Sequence, residues 1–149
     1  MNFEIRPGRK TDLPRLRELI VELAVFEKEP DAVTNSLQMM EVDGFGTNPI
    51  YGFIVAESDD QIIGASIYYY RYSTWKGKRL YLEDLIVTEE HRGVGAGKAL
   101  FEATIEIGKR SQCTGMMWQV LDWNEPAIQF YKKYNSDLDE QWINCSLSF

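Results

Sequence analysis

The chain has 149 residues and a formal net charge of −7, and both figures limit the classes of protein to which it can belong. The length suits one domain with its own core, so we expect a single domain over residues 1–149. The acidic balance argues against a nucleic-acid or anionic-membrane partner and mildly favours a cationic substrate. No apolar run is long enough for a transmembrane helix.

The cysteines and the N-terminal sequence bear on the cellular compartment. Cys113 and Cys145 lie far apart in the sequence, which favours free thiols over a disulfide framework. Residues 1–10 lack the apolar run of a signal peptide. We therefore expect a cytoplasmic protein with reduced cysteines.

The N-terminal part predicts a short strand followed by an amphipathic helix. Residues 3–6 form the strand, and the helix starts near Thr11 or Asp12 with Pro14 in its first turn, where its missing N–H does little harm. The apolar stripe of this helix recurs at helical spacing and consists of Leu13, Leu16, Leu19, Ile20 and Leu23.

The remaining sequence predicts further strands and helices. Residues 51–57, 61–72 and 79–87 form long strands, the first two joined by a polar turn. A helix follows a glycine-rich loop and buries one face, which carries Leu100, Ala103, Thr104 and Ile107.

The C-terminal part predicts two strands with a helix between them, and Asn124 precedes that helix as a good N-cap. They cover residues 115–121, roughly 125–134 and 141–149, and the last segment alternates between apolar and polar residues as a half-buried strand does. Antiparallel strands therefore come early in the chain and strand–helix–strand units come late. This order predicts an α/β (α+β) fold with one mixed sheet flanked by helices.

The glycine-rich loop before the predicted second helix has the composition of a phosphate-binding loop. Walker loops carry Ser or Thr after the lysine, but Lys98 is followed by Ala99, and the spacing also departs from the dinucleotide fingerprint. Bare backbone N–H groups at a helix N-terminus bind pyrophosphate, and Arg92 and Lys98 add positive charge. The alternative is a flexible surface turn. The glycines concerned are Gly93, Gly95 and Gly97.

Several motifs resemble one enzyme superfamily. The segment RGVGAG after YLEDLIV resembles the acetyl-CoA motif of the GNAT superfamily of N-acetyltransferases, and DWNEPAIQFYKK resembles its second motif. The segments ELAVFEKE, DGFGTNP and YYYRYSTWKGKRLYLED are similar to the diamine (spermidine/spermine) acetyltransferase family. Within that family, YSTWKG and VLDWN are most similar to the thialysine-acetylating branch.

This resemblance implies the GNAT fold and transfer of an acetyl group from acetyl-CoA to the primary amine of a small cationic substrate. The substrate would be a diamine, a polyamine or a thialysine-like amino acid, no metal would be needed, and the protein would be a homodimer. The implied CoA site consists of Leu85, Ile86, Val87, Arg92, Gly93, Val94, Gly95, Ala96, Gly97, Lys98, Asn124, Glu125, Pro126, Ala127 and Tyr131.

Two residues carry the implied proton transfers. An amine with a pKa near 10.4 must lose a proton before it attacks, and the resemblance makes Glu83 the base, acting through a water. Because neighbouring strand residues point to opposite faces, we expect Glu83 and Asp84 to have separate roles. Tyr131 would protonate the leaving thiolate, since a phenol stays protonated at neutral pH. The alternatives are an edge carboxylate for Glu83 and a core aromatic for Tyr131.

A substrate site is also implied. Glu27 ends the first helix, where a carboxylate is unfavourable because it opposes the helix dipole. The alternatives at this position are a substrate-binding role and a solvated helix end. Met117 and Trp118 are alternatively core residues. The implied substrate residues are Phe26, Glu27, Trp75, Glu83, Asp84, Met117, Trp118, Gln119 and Glu140.

Three departures from the family bear on substrate and geometry. Ser73 stands where the polyamine-selective branch has an acid, which favours a smaller amine such as thialysine. Asn135 replaces a glycine and is one of the few residues that tolerate a left-handed conformation. The segment after it is shorter than in the family, so the match of Glu140 is loose. Two rival functions remain open: acetylation of a protein or peptide amine, and a catalytically silent CoA-binding regulator.

Overall fold

The computed structural model describes residues 2–149. The chain divides into two compact units, one ending at Trp118 and the other comprising Gln119–Phe149. The expectation of a single domain stays a prediction. Among the described residues, no helix has the length and apolar character needed to cross a membrane.

The first unit contains all five strands and three of the helices that the structure describes. The strands are β1 (Glu4–Pro7), β2 (Gly52–Ser58), β3 (Gln61–Ser73), β4 (Gly77–Val87) and β5 (Met116–Met117). The helices are α1 (Leu13–Phe26), α2 (Leu37–Phe45) and α3 (Ala96–Arg110), with single 3-10 turns at Lys10–Asp12 and Glu89–His91. The second unit contains α4 (Glu125–Lys132).

The strands form one mixed sheet in the order β1-β2-β3-β4-β5. Neighbouring strands are antiparallel from β1 to β4, and β5 pairs with β4 in parallel. Short hairpins join β2 to β3 and β3 to β4, whereas α1 and α2 lie between β1 and β2, and the parallel pair requires the α3 crossover. The predicted mixed sheet flanked by helices is confirmed.

Two apolar layers hold helices against opposite faces of the sheet. On one face, α1 and α2 cover a core that includes Leu13, Leu16, Leu19, Met40, Val55, Ile67 and Ile86. On the other face, α3 covers a core that includes Ile54, Ala56, Ile63, Ala96 and Leu100. The apolar stripe predicted for α1 is confirmed, because its residues are buried or pack against the first core.

A β-bulge interrupts the ladder between β3 and β4. Ile67 lies opposite Asp84, while the next β3 residue, Tyr68, lies opposite Leu82. Glu83 is therefore the extra residue of β4, without a partner in the ladder. The bulge also reverses the alternation of β4: Leu80 faces α3 before it, whereas Ile86 faces α1 after it.

Helix α2 has no counterpart in the prediction. The Ser36 hydroxyl caps its N-terminus by accepting a hydrogen bond from the Met39 amide at 3.1 Å. Its apolar residues surround the helix rather than forming one stripe, and only Met40 is buried. Since helices are recognised from a stripe of period 3.6, this segment gave no periodic signal.

Two strand predictions near the C-terminus are wrong: the first strand is much shorter than expected, and the second does not form among the described residues. The strand expected over residues 115–121 is only Met116–Met117. Residues 141–149 form no strand among the described residues, and all of their side chains are exposed. A strand exists only where a neighbour supplies hydrogen bonds, and the alternating pattern alone does not provide that neighbour.

Candidate active site

The glycine loop between β4 and α3 presents bare backbone to open space. Gly93 and Gly95 have φ of +84° and +89°, a left-handed region that glycine enters without a steric penalty. A Cβ atom built on either residue would meet no described heavy atom within 4 Å. Helix α3 begins directly after Gly95, so the unsatisfied N–H groups of its first turn lie beside this open space.

Arg92 is fixed next to the loop by two contacts within the first unit. Its Nε donates a hydrogen bond to the Val87 carbonyl at 3.3 Å, and its guanidinium carbon lies 5.1 Å from the centroid of the Phe26 ring. Phe26, predicted as a substrate residue, therefore supports the loop arginine. The positive charge expected at the loop is held in place by the end of α1.

The turn before the loop is also held in place. The Glu22 side chain on α1 accepts a hydrogen bond from the Glu89 amide at 3.1 Å. The single histidine of the sequence, His91, has its Nδ1 at 3.0 Å from the hydroxyl oxygen of the buried Thr88. These contacts fix the turn that leads into the glycine loop.

Three carboxylates interact where α1 ends and β4 bulges. Burial raises the pKa of Asp84 to about 7, with further contributions from the negative charges of Glu83 and Glu27. Burial likewise raises the pKa of Glu27. Such a group of carboxylates favours a bound cation, because a positive charge would relieve both the burial cost and the mutual repulsion.

The expectation that the side chains of Glu83 and Asp84 point to opposite faces of the sheet is wrong. It assumed regular alternation, but the bulge at Glu83 breaks that alternation, and the charge of Glu83 acts on Asp84. The two carboxylates therefore belong to one electrostatic cluster with Glu27. We call these three residues the carboxylate cluster.

Two tyrosines on the same part of the sheet lie near the charge of Glu83. Burial, followed by the negative charge of Glu83, raises the pKa of Tyr69. Tyr81 lies opposite Tyr69 with ring centroids 5.2 Å apart, and the same two causes raise its pKa. Glu83 itself is exposed, so water reaches its carboxylate.

Replacing Asp84 tests the buried charge through stability. A folded-state pKa near 7 lies above the unfolded value near 3.9, so the free energy of unfolding falls as pH rises from 4 to 7. Asp84→Asn removes this ionisation. Its free energy of unfolding, relative to that of the native chain, should therefore rise by about 1–3 kcal/mol between pH 4 and pH 8. Thermal unfolding across that range measures the gain, and Asp31→Asn, at an exposed position, is the control. A pH-independent difference for Asp84→Asn would refute the buried charge.

Other predicted substrate residues occupy different surroundings in the first unit. Met117 lies opposite Tyr81 in the β4–β5 ladder. Trp118 packs edge-on against Phe101 of α3, with 5.3 Å between the ring centroids. This contact favours the alternative that Trp118 is a core residue. Trp75 is 86% exposed in the turn between β3 and β4, where a substrate could meet it without any rearrangement of the core.

The second unit places the predicted acid in a short helix. Asn124 caps α4 by accepting a hydrogen bond from the Ala127 amide at 3.4 Å, so the predicted N-cap is confirmed. The side chain of Tyr131 is buried, and the Ser136 hydroxyl donates to its carbonyl at 2.8 Å. Asn135 has φ of +55°, which confirms the left-handed conformation expected where the family has glycine.

The last two predicted substrate residues are also in the second unit. The Gln119 amide donates to the Asn144 side-chain oxygen at 2.6 Å. Glu140 is exposed in an irregular segment. Within that unit, Glu125 of the predicted CoA site accepts a hydrogen bond from Gln129 at 2.6 Å, a contact along one face of α4.

The sequence predicts Tyr69 and Tyr81 only as strand residues and does not indicate that they lie near the charge of Glu83. YYYRY and LYLED are nonetheless neighbours in a hairpin whose short turn fixes their pairing. The hairpin pairing alone would have placed Tyr69 opposite Tyr81. The bulge that brings Glu83 to Tyr69 carries no such signal.

Comparison with known proteins supports the resemblance. The sequence profile of the acetyltransferase (GNAT) family matches residues 13–135. A thialysine N-epsilon-acetyltransferase of Bos taurus is 38% identical over 145 residues, covering 91% of this chain and 85% of that protein. The human spermidine/spermine N(1)-acetyltransferase-like protein 1 is 36% identical over 136 residues, covering 87% of this chain and 20% of its own length.

Solved structures share the fold. An integron cassette protein of V. cholerae has a TM-score of 0.79 at 23% identity, covering 100% of this chain and 94% of that one. An aminoglycoside acetyltransferase from an uncultured soil sample has a TM-score of 0.78 at 18% identity, covering 99% and 96%. The sheet, the glycine loop and these matches agree with the resemblance seen in the motifs: the chain is an acetyltransferase and belongs to the GNAT family.

Proposed function

We propose that this acetyltransferase moves an acetyl group from acetyl-CoA to the primary amine of a small cationic substrate by direct attack. The observation that carries the proposal is the carboxylate cluster of Glu27, Glu83 and Asp84 on a sheet whose β4 strand leads into the glycine loop. The relatives named for thialysine and spermidine/spermine acetylation support a diamine, a polyamine or a thialysine-like amino acid as the substrate.

The glycine loop suits the pyrophosphate of acetyl-CoA. Open space at Gly93 and Gly95 lets a phosphate approach the N–H groups at the start of α3, and Arg92 and Lys98 supply positive charge. Acetyl-CoA supplies a thioester that is open to attack by an amine. The other proposed CoA residues are the β4 backbone at 85–87 and the residues Asn124, Glu125, Pro126, Ala127 and Tyr131.

Glu83 is the proposed base. Its carboxylate is exposed to water, so it can accept the amine proton through a water molecule. Glu27 and Asp84 hold the charged amine before that proton leaves, because their partly buried charges favour a cation. The amine then attacks as a neutral nucleophile.

Tyr131 is the proposed acid. Its hydroxyl would donate a proton to the departing thiolate, which then leaves as a thiol. Burial of the ring in α4 fixes its direction at little further cost in side-chain entropy. The remaining proposed substrate contacts are Phe26, Trp75, Met117, Trp118, Gln119 and Glu140.

Ser73 supports a small amine over a long polyamine. In the structure, its hydroxyl oxygen accepts hydrogen bonds from the Trp75 and Lys76 amides at 3.3 and 3.1 Å. The residue therefore shapes the turn that carries Trp75 and adds no charge there. The resemblance places an acid at this position in the polyamine-selective branch, so the proposal favours a thialysine-like amine.

Gly95→Ala should raise KM for acetyl-CoA at least tenfold. The added methyl would enter the open space at the start of α3 and keep a phosphate away from the backbone. The positive φ also costs about 1–2 kcal/mol of stability. Gly77→Ala is the matched control, because Gly77 has φ of +87° in the β3–β4 turn and carries the same strain away from the loop.

The two glycine variants separate strain from binding. Both should lower the melting temperature, but only Gly95→Ala should change KM for acetyl-CoA. Steady-state kinetics at saturating amine measure KM, and thermal unfolding measures the strain. An unchanged KM in folded Gly95→Ala would remove the glycine loop from the CoA site.

The proposal includes a homodimer, as the resemblance implies. Residues 141–149 alternate in pattern and are exposed, and their large apolar side chains are Trp142, Ile143, Leu147 and Phe149. Exposed apolar segments without a strand partner favour association. Light scattering should return twice the chain mass of 17.3 kDa, whereas a mass of one chain at working concentrations would contradict the homodimer.

A panel of amines tests the proposed substrate class. Release of CoA thiol is followed with thialysine, lysine, ornithine, diamines, spermidine and a basic peptide, each at equal concentration. Turnover of the small amines, with thialysine-like amines ahead of spermidine, is the expected result. Turnover of the peptide alone would favour the protein-acetylating alternative, and CoA binding without turnover of any amine would favour the silent regulator.

A further inference from the structure

Arg71 lies on the same sheet face as Tyr69 and Tyr81, the tyrosines near the charge of Glu83. In the β3–β4 ladder Tyr69 lies opposite Tyr81, and Arg71 lies opposite Arg79, two residues nearer the turn. The Arg71 guanidinium carbon is 5.7 Å from the centroid of the Tyr81 ring. Ile67, which lies opposite Asp84, is four strand residues from Arg71, a span of about 13 Å, so Arg71 and the carboxylate cluster are the cationic and anionic ends of one track.

Arg71 and Arg79, the two arginines of this track, differ in their contacts. Like charges directly opposite one another in a ladder are destabilising, so the pair needs compensation. Arg79 contacts the Thr114 hydroxyl at 3.5 Å and packs beside Gly115. Arg71 is exposed, and within residues 2–118 it forms no ion pair, although the chain has 23 acidic residues to 16 basic ones.

We propose that Arg71 binds a carboxylate of the amine substrate and so selects amino-acid amines over diamines and polyamines. The inference rests on the proposed function, since it assumes that the reacting amine lies at the carboxylate cluster. The chain of a lysine-like amino acid then runs past Tyr81 and brings its carboxylate to the guanidinium, which presents a fork of N–H donors. A diamine would instead bring a second positive charge to Arg71, where it is repelled.

The test compares an amine with and without the carboxylate charge. Thialysine, its carboxamide and 1,5-diaminopentane are assayed with the native chain, with Arg71→Gln and with Lys78→Gln. Lys78→Gln is the matched control because the substitution removes one positive charge from the same hairpin. The ammonium of Lys78 donates a hydrogen bond to the Ser111 carbonyl. Thermal unfolding and KM for acetyl-CoA check that each variant is folded and binds its co-substrate.

Arg71→Gln should lower kcat/KM for thialysine by about tenfold or more and change it less than threefold for the carboxamide. For the diamine kcat/KM should rise, because the repulsion of its second positive charge is removed. The preference of the native chain for thialysine over its carboxamide should be lost in Arg71→Gln and retained in Lys78→Gln. Equal losses for all three amines, or an unchanged preference, would overturn the role of Arg71. If the native chain acetylates none of the three, the proposed function fails instead.

Discussion

Tyr131→Phe should lower kcat by about 10²–10⁴-fold while KM for acetyl-CoA changes little. The substitution keeps the buried ring in α4 and removes only the hydroxyl. If that hydroxyl protonates the leaving thiolate, the loss appears in the chemical step and not in binding. The measurement is steady-state kinetics with both substrates varied.

A neighbouring tyrosine provides the control for Tyr131. Tyr134 stacks edge-on with Phe130 at 5.6 Å between ring centroids, and Tyr134→Phe removes a hydroxyl from the same unit. That variant should keep kcat within about threefold of the native value, well short of the loss expected for a general acid. Full activity in Tyr131→Phe would leave the residue as a core aromatic and remove it from the mechanism.

Glu83→Gln should lower kcat by about 10²-fold or more at neutral pH, with partial recovery at high pH. The amide keeps the shape of the side chain but cannot accept a proton. As the pH approaches the amine pKa near 10.4, a growing fraction of substrate is already neutral and needs no base. The pH profile of kcat/KM from pH 7 to pH 10 measures this recovery.

Two further variants sharpen the test of the base. Tyr69→Phe removes a hydroxyl near the charge of Glu83 and should give a smaller loss than Glu83→Gln, with the same alkaline recovery. Glu106→Gln, on the exposed face of α3, should leave the profile unchanged. A profile for Glu83→Gln that runs parallel to the native one at every pH would contradict its role as base.

Strong periodicity in the sequence predicted most of the elements. The stripe of α1, the strands around residues 51–87 and the helix after the glycine loop all form near the expected positions, because each signal is local and repeated. Asn124 and Asn135 were also predicted correctly, since capping and left-handed backbone depend on one residue and its immediate neighbours.

The failures come from structure that depends on distant partners. Helix α2 lacks a single apolar stripe, and the alternating tail has no strand partner among the described residues. The bulge at Glu83 depends on the register between β3 and β4, which no property of either strand alone reveals. For that reason the sequence predicted the carboxylates individually but placed Glu83 and Asp84 on opposite faces of the sheet, and it did not predict that Tyr69 lies near the charge of Glu83.

Identification of the reaction product tests the central claim most directly. The chain is incubated with acetyl-CoA and thialysine while both concentrations are varied, and the products are quantified by mass spectrometry. Direct attack predicts one N-acetylated amine for each CoA thiol released, intersecting initial-rate lines and no acetylated protein in the absence of amine. Parallel lines with an acetylated protein intermediate, or thiol release without acetylated amine, would contradict direct transfer to a small amine.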